Sequence, residues 1–234
     1  MPHRSGSLSM PDTVGGFSAA EGRPVIDALI EVIHQNAARL SKLDGATGDG
    51  DHGINMDKGF QRAGEVLGDG PVGLQRAFAV LGQVLVTEIG GAMGPLYGSF
   101  YLDMAGAING ADRVDARLFD GALAAGIAAI EDLGEAKLGD KTLLDTLLPA
   151  QAAYRDALAR DESFVPALAA MAEAGERGAE ATQEMVARVG RASRLGERSR
   201  GFLDAGAVSC AMQLRAMTDA MSSLVSLDPL AGAD

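Results

Sequence analysis

Apolar residues recur at helical spacing along nearly the whole chain, and this feature most limits the folds open to it. Val25, Leu29, Val32, Ile33 and Leu40 follow the i, i+3, i+4 rule, with Asn36 as a polar exception. Leu74, Phe78, Leu81, Leu85 and Ile89 repeat it. Leu118, Leu123, Ile127 and Ile130 do so more loosely, because alanines fill the intervals. Met171, the alanine-rich stretch to Thr182, Met185 and Val189 form another segment, and Val208, Met212, Leu214, Met217, Met221 and Leu224 close the series. Apolar/polar alternation over more than a few residues is missing, as are Val-Ile-Tyr-Phe clusters between turns, so helices are expected nearly throughout. Eight helices are predicted, at about 22–43, 54–68, 72–90, 95–110, 115–134, 141–160, 164–190 and 205–226.

Short links between long amphipathic helices favour antiparallel neighbours. The 234 residues suffice for one buried core. No linker divides the chain, and no repeat of about 20–50 residues marks a solenoid, so one all-α domain is expected. Residues 1–21 are rich in Ser, Gly and Pro and have no apolar period. They are read as a flexible N-terminal tail, residues 228–234 as a frayed C-terminus, and 22–227 as the domain.

Composition removes several classes of function. Hydrophobic residues make up 47% and charged residues 22%, which suits a soluble globular chain and excludes disorder. A net charge of −12 denies the chain the basic face of a general nucleic-acid binder. No apolar run approaches the roughly 20 residues of a membrane span, and residues 1–22 lack the apolar centre of a signal peptide. The single cysteine, Cys210, excludes an internal disulfide and a cysteine-rich zinc cluster. The expectation is a cytoplasmic protein that engages neither nucleic acid nor membrane.

The densest chemistry lies in Leu43-Asp44-Gly45-Ala46-Thr47-Gly48-Asp49-Gly50-Asp51-His52-Gly53-Ile54-Asn55-Met56, at a junction between two helices. Gly48, Gly50 and Gly53 spell a dinucleotide fingerprint, but a helix precedes them and Asp49 and Asp51 would repel a phosphate. An EF-hand counted from Asp49 also fails: Ile54 stands where Gly is needed and Phe60 where Glu is needed. In an extended loop Asp49 and Asp51 project to the same side, and Asp44 can join them from the preceding helix. Three close carboxylates repel unless cations lie between them. Oxygen-only ligands suit Mg²⁺ or Ca²⁺, and Mg²⁺ completes its shell with water and substrate phosphates. The segment is thus either a Mg²⁺-phosphate site or a solvated acidic turn. His52 and Asn55 stand beside it, with His52 either structural or a ligand to a phosphate or carbonyl.

Three further loops carry signals. Gly90 to Ser99, with Pro95 at a helix start, frees backbone N–H groups for an anion, or simply caps one helix before a tight turn. Gly139-Asp140-Lys141-Thr142 imitates the end of a P-loop, but Asp140 interrupts the Gly-Lys pair and no strand precedes it. A helix start capped by Asp140 is the plain reading. Arg191 to Arg200 holds four arginines against one glutamate, a phosphate-binding island or a solvated face, and runs through Gly201 to Ala207 into the last helix.

Taken in order, these four segments resemble the nucleotide-binding L subunits of dihydroxyacetone kinases, and the likeness covers essentially the whole chain after residue 21. The resemblance implies an antiparallel eight-helix barrel with ADP or ATP held at one rim. It implies Asp44, Asp49 and Asp51 as ligands of two Mg²⁺ ions that bridge the nucleotide phosphates. His52 and Asn55 would lie near those phosphates and Ala92 and Met93 at the second nucleotide loop. Gly134 and Leu143 would lie beside the base, with Arg191 and the turn Asp204-Ala205-Gly206 completing the pocket. Many relatives have a small hydroxyl residue where Met93 stands, and Asp-Pro-Gly where this chain has Asp204-Ala205-Gly206.

The same resemblance implies phosphoryl transfer to dihydroxyacetone or a related ketose held covalently on a histidine of a separate K subunit, so this chain is inactive alone. Either ADP stays bound and is rephosphorylated by a phosphohistidine-carrying protein of the phosphotransferase system, or ATP exchanges. The free-standing subunit and the Gly94-Pro95-Leu96-Tyr97-Gly98 wording favour the first. A homodimer is compatible with either. A non-catalytic nucleotide-binding regulator is the rival reading, and the intact Asp44, Asp49 and Asp51 speak against it. A phosphatase using the same metals is a weaker one.

Overall fold

The structure is a computed structural model that describes residues 15–228. Eight α-helices follow one another among them: α1 Arg23–Thr47, α2 His52–Leu67, α3 Leu74–Glu88, α4 Met93–Ile108, α5 Ala116–Leu133, α6 Leu144–Ala159, α7 Phe164–Ala181 and α8 Ala205–Leu227. Each helix packs on the next in sequence, and α8 returns to pack on α1. Links of ten residues or fewer make the first seven helices antiparallel neighbours, and the longer 182–204 link returns α8 against both α7 and α1, so the ring closes as the expected all-α eight-helix barrel.

An up-and-down ring sorts its links by parity. Those after α1, α3, α5 and α7 (48–51, 89–92, 134–143 and 182–204) gather at one rim. Those after α2, α4 and α6 (68–73, 109–115 and 160–163) gather at the other. All of the sequence motifs fall on the first rim.

The helices form where the apolar period demands a buried face and a local signal starts the turn. Pro24 opens α1, where its missing N–H has no role. Asp115 caps α5 by accepting from Leu118 N at 2.8 Å, and Asp204 caps α8 by accepting from Ala207 N at 2.7 Å. Close approach fixes the α1–α2 crossing: a Cβ on Gly53 would lie 1.9 Å from the Ala37 carbonyl oxygen, so only glycine fits. Inside the ring Tyr101 centres an aromatic cluster, its ring 5.3 Å from Phe78, 5.2 Å from Phe100 and 6.3 Å from Phe60. Its buried hydroxyl donates to Gln213 Oε1 at 2.7 Å, so the core carries no orphaned polar group there.

Several expectations are corrected. One short strand pair accompanies the helices: β1 (Gly16–Ser18) pairs antiparallel with β2 (Arg113–Asp115), Phe17 opposite Val114. The expected tail therefore ends too late. Phe17 is fully buried and stacks on Phe164 at 6.4 Å, and Ala19 N donates to Asp112 O at 2.9 Å. A three-residue strand is too short to show alternation, which is why the sequence hides it. Residues 1–14 of that tail, and 229–234 of the expected frayed end, lie outside the described residues. Asp228, the first residue of that end, pairs with Arg113 at 2.8 Å. Helix α7 stops at Ala181, not near 190. There the Thr182 hydroxyl bonds back to Ala179 O at 2.6 Å and accepts from Asp204 N at 3.0 Å, and the chain leaves through a 3₁₀ turn, Thr182–Glu184. Helix α6 starts at Leu144 rather than 141.

Candidate functional site

Helix α1 runs on to Thr47 and α2 begins at His52, so Asp44 sits on the last turn of one helix and Asp51 immediately before the next. The loop between them doubles back over Asp44. Gly50 takes φ +79°, a left-handed conformation that glycine adopts without strain. Its N–H donates to Asp44 Oδ2 at 2.8 Å, and His52 N approaches the same oxygen at 3.4 Å. These bonds orient the Asp44 carboxylate. Asp51 precedes α2 without capping it, so its carboxylate stays available. Oxygens of Asp44, Asp49 and Asp51 lie within 4.8 Å of one another, with Asp49 and Asp51 exposed. An all-oxygen trio at this separation fits a hard divalent cation such as Mg²⁺. The Arg191 guanidinium lies against Asp49 and partly offsets the negative charge.

The carboxylates open into a cavity of about 490 Å³ bounded by all four links of this rim. Asp44, Asp49, Asp51, His52, Ala92, Met93, Gly134, Leu143, Arg191, Asp204, Ala205 and Gly206 all line it. Asn55 does not: it lies half-buried one turn further along α2. The start of α4 brings Ala92 and Met93 to the cavity, and Leu96, Ile130, Leu133 and Leu143 give it an apolar wall. A larger groove, about 680 Å³, runs along α1, α7 and α8 but contains none of the clustered carboxylates.

Burial sets the protonation of two groups here. Desolvation lowers the His52 imidazole to about 4 against the opposing pull of Asp44, so the ring is neutral at pH 7. Its Nε2 pairs with Ser209 Oγ at 2.9 Å, and Ser209 in turn pairs with the Tyr97 hydroxyl at 2.8 Å. Asp204 is half-buried, and its carboxylate turns inward to accept from Ala207 N. That burial raises it to about 6, although the Ala207 N–H and Lys141 favour the charged form.

The Gly139 to Thr142 turn differs from its sequence reading. The buried carboxylate that organises it is Asp145, not Asp140: Asp145 accepts from Gly139 N at 2.5 Å and Thr142 N at 2.7 Å. Asp140 accepts from Lys137 N at 2.8 Å instead. Sequence reasoning also missed Tyr97, Ser209 and Ile130. Tyr97 lies inside the Gly90–Ser99 segment and Ile130 belongs to the apolar period of α5, but nothing in the pattern of α8 singles out Ser209. Of the four arginines from 191 to 200, only Arg191 lines the cavity. Arg200 turns away to Glu197 and the Glu184 carbonyl.

Residues 46–219 match the family model described as the DAK2 domain. The ADP-binding subunit DhaL of PEP-dependent dihydroxyacetone kinase 1 from Listeria innocua is 37% identical over 188 residues, covering 80% of this chain and 89% of that one. The ADP-binding subunit DhaL of the PTS-dependent dihydroxyacetone kinase from Lactococcus lactis is 37% identical over 183 residues, covering 77% and 86%. Among solved structures, the dihydroxyacetone kinase of C. freundii aligns with a TM-score of 0.66 at 24% identity. That alignment covers 94% of this chain and 38% of the other, a likeness of fold. With the family model spanning all four loops of the cavity and relatives of DhaL type matched nearly end to end, the chain belongs to the DAK2 domain family.

Proposed function

We propose that this chain is the ADP/ATP- and Mg²⁺-binding subunit of a dihydroxyacetone (or related ketose) kinase. It presents a phosphoryl group to a ketose held by a separate K subunit, and a phosphohistidine-carrying protein of the phosphotransferase system rephosphorylates its bound ADP. The observation that carries this reading is the trio of carboxylates within 4.8 Å of one another, opening into a nucleotide-sized cavity. The relatives' names, an ADP-binding subunit of PEP- and PTS-dependent kinases, support the choice of nucleotide and phosphoryl source.

The residues divide the work. Asp44, Asp49 and Asp51 would hold Mg²⁺, which when bound draws negative charge from the nucleotide phosphates. Asp44 is pre-oriented by the Gly50 and His52 amides, so it meets a cation without reorganising. The start of α4 lines the same cavity, and the free N–H groups of a helix start suit phosphate oxygens. Neutral His52, held through Nε2 by Ser209, offers Nδ1 to a polar partner without adding charge. Arg191 supplies a guanidinium that can move from Asp49 to a phosphate once a cation satisfies the carboxylate. Leu143 and Ile130 give an adenine ring an apolar surface.

The test is to denature the purified protein without added nucleotide and identify what it releases by chromatography and mass spectrometry. About one ADP per chain, retained through dialysis with Mg²⁺, is the expected result. An empty protein that then binds ATP with Mg²⁺ would replace the bound-ADP route with exchange. A protein that neither carries nor binds nucleotide would overturn the reading.

A further inference from the structure

The sequence places a lysine where a P-loop imitation would put one, and the structure gives that lysine another task. Lys141 is 2% exposed. Its ammonium donates to Ser199 O at 2.6 Å, Phe202 O at 2.6 Å and Met185 O at 3.2 Å. An ammonium has three protons, so three carbonyls exhaust it and none remains for a phosphate. Lys141 is also one of two non-glycine residues at positive φ among those described, at +65°. Side chains rarely accept that strain unless the surroundings enforce it. Here they do: the Asp145 carboxylate, itself buried, grips Gly139 N and Thr142 N on either side of the lysine.

The three carbonyls come from both arms of one excursion. Met185 precedes Arg191, and Ser199 and Phe202 follow it. Further bonds run alongside, from Arg188 N to Asp140 O at 3.1 Å and from Ala187 N to Ser199 Oγ at 2.9 Å. The excursion contains 3₁₀ turns across Ala192–Ser199, broken by Gly196 at φ +54°, and so has little regular backbone bonding to hold itself. Arg191 stands at its cavity edge, against Asp49 on the opposite link.

We propose that Lys141 is the positioning residue for Arg191: its ammonium ties both arms of 185–202 to the start of α6 and so sets where the guanidinium stands over the cavity. The proposal rests on the nucleotide reading above and adds to it a coupling between the α5–α6 and α7–α8 links. Lys141 borders the cavity, but its ammonium is turned to the three carbonyls. It acts through the segment it binds.

The test compares the full chain with Lys141→Met, Arg191→Ala and the double variant, each first freed of bound nucleotide by dialysis against a chelator, by amide hydrogen exchange without nucleotide and by calorimetric titration with Mg-ADP. In Lys141→Met, exchange across 185–202 should quicken at least about tenfold while the eight helices keep their protection. Mg-ADP affinity should fall about tenfold, and the double variant should bind no more weakly than Arg191→Ala alone, because the lysine acts through the arginine. Unchanged exchange overturns the tie while leaving the nucleotide reading intact. Fast exchange with unchanged affinity, or losses that add in the double variant, overturn the positioning role. A wild-type chain that shows no Mg-ADP binding overturns the nucleotide reading and, with it, the role assigned to Arg191. If Lys141→Met does not fold, Lys141→Gln, which keeps two donors, should show the same pattern at smaller amplitude, and its absence there overturns the proposal.

Discussion

The two rims of the barrel are built on opposite principles. At one, the links after odd-numbered helices expose Asp49, Asp51 and Arg191 around an open cavity. At the other, Phe17, Phe119, Phe164 and Tyr154 close the end of the ring: Phe119 lies 5.6 Å from Tyr154 and 5.9 Å from Phe164, and Tyr154 donates to Ala116 O at 2.9 Å. A strand pair pins this plug in place. The ring's parity makes the separation available. Because alternate links share an end, one end can be packed for stability while the other keeps charges that packing would not tolerate.

The largest effect should come from the closed rim. Phe17→Ala removes a fully buried ring stacked on Phe164 and should cost about 3 kcal/mol of stability by chemical denaturation. Mg-ADP affinity, measured where the variant is still folded, should be unchanged. A large fall in affinity would mean that the plug shapes the distant cavity, and the division between the rims would fail.

The converse experiment belongs to the open rim. Replacing Asp49 and Asp51 together by Asn should lower Mg-dependent nucleotide affinity on the order of 100-fold, since even outer-shell changes at metal sites cost 10–100-fold. Stability should hold or rise slightly, because both residues are exposed and their mutual repulsion is relieved. A variant that binds Mg-ADP normally would take the carboxylates out of the site.

How much of this was legible follows from the same contrast. Each helix turns one face to the ring, so Leu74, Phe78, Leu81 and Leu85 announce α3 directly. The acidic loop was legible because three carboxylates so close demand an explanation. Where the sequence misled, tertiary packing imitated a local signal. Met185 and Val189 continue the helical spacing of α7, yet the chain has already left the helix at Thr182, and within the 182–204 link it is their neighbour Ala187 that is buried. Ser209 was invisible because a serine inside α8 carries no hint that His52 and Tyr97 will reach it from other helices. Asn55 was drawn to the site by adjacency in sequence, but one helical turn carried it off the cavity lining.

Asp204 gives a smaller effect with a defined sign. Its folded carboxyl sits near 6, above its ordinary value of 3.8, because it is buried. A raised carboxyl favours the folded state below the unfolded value, and that advantage is lost as pH climbs through the folded value. Relative to Asp204→Asn, which keeps the α8 cap, the wild type should therefore lose about 2 kcal/mol of stability between about pH 4.5 and pH 7. Denaturation of both chains without nucleotide at the two pH values measures it. A difference that does not vary with pH would show that water reaches the carboxyl from the open rim.

The smallest effect tests where the open rim stops. Tyr97 lies at the boundary, its ring buried and its hydroxyl donating to Gly206 O at 3.0 Å beside Ser209. Tyr97→Phe removes that hydroxyl but leaves no orphan, because Ser209 Oγ still reaches Gly206 O at 3.1 Å and His52 Nε2 at 2.9 Å. The cost should be about 1 kcal/mol, the usual net value of one hydrogen bond, and it should appear as lost stability with nucleotide affinity nearly unchanged. If affinity falls tenfold instead while stability holds, the hydroxyl belongs with the site, acting through Ser209 on the orientation of His52. The functional end would then reach one layer deeper into the ring than the exposed carboxylates mark.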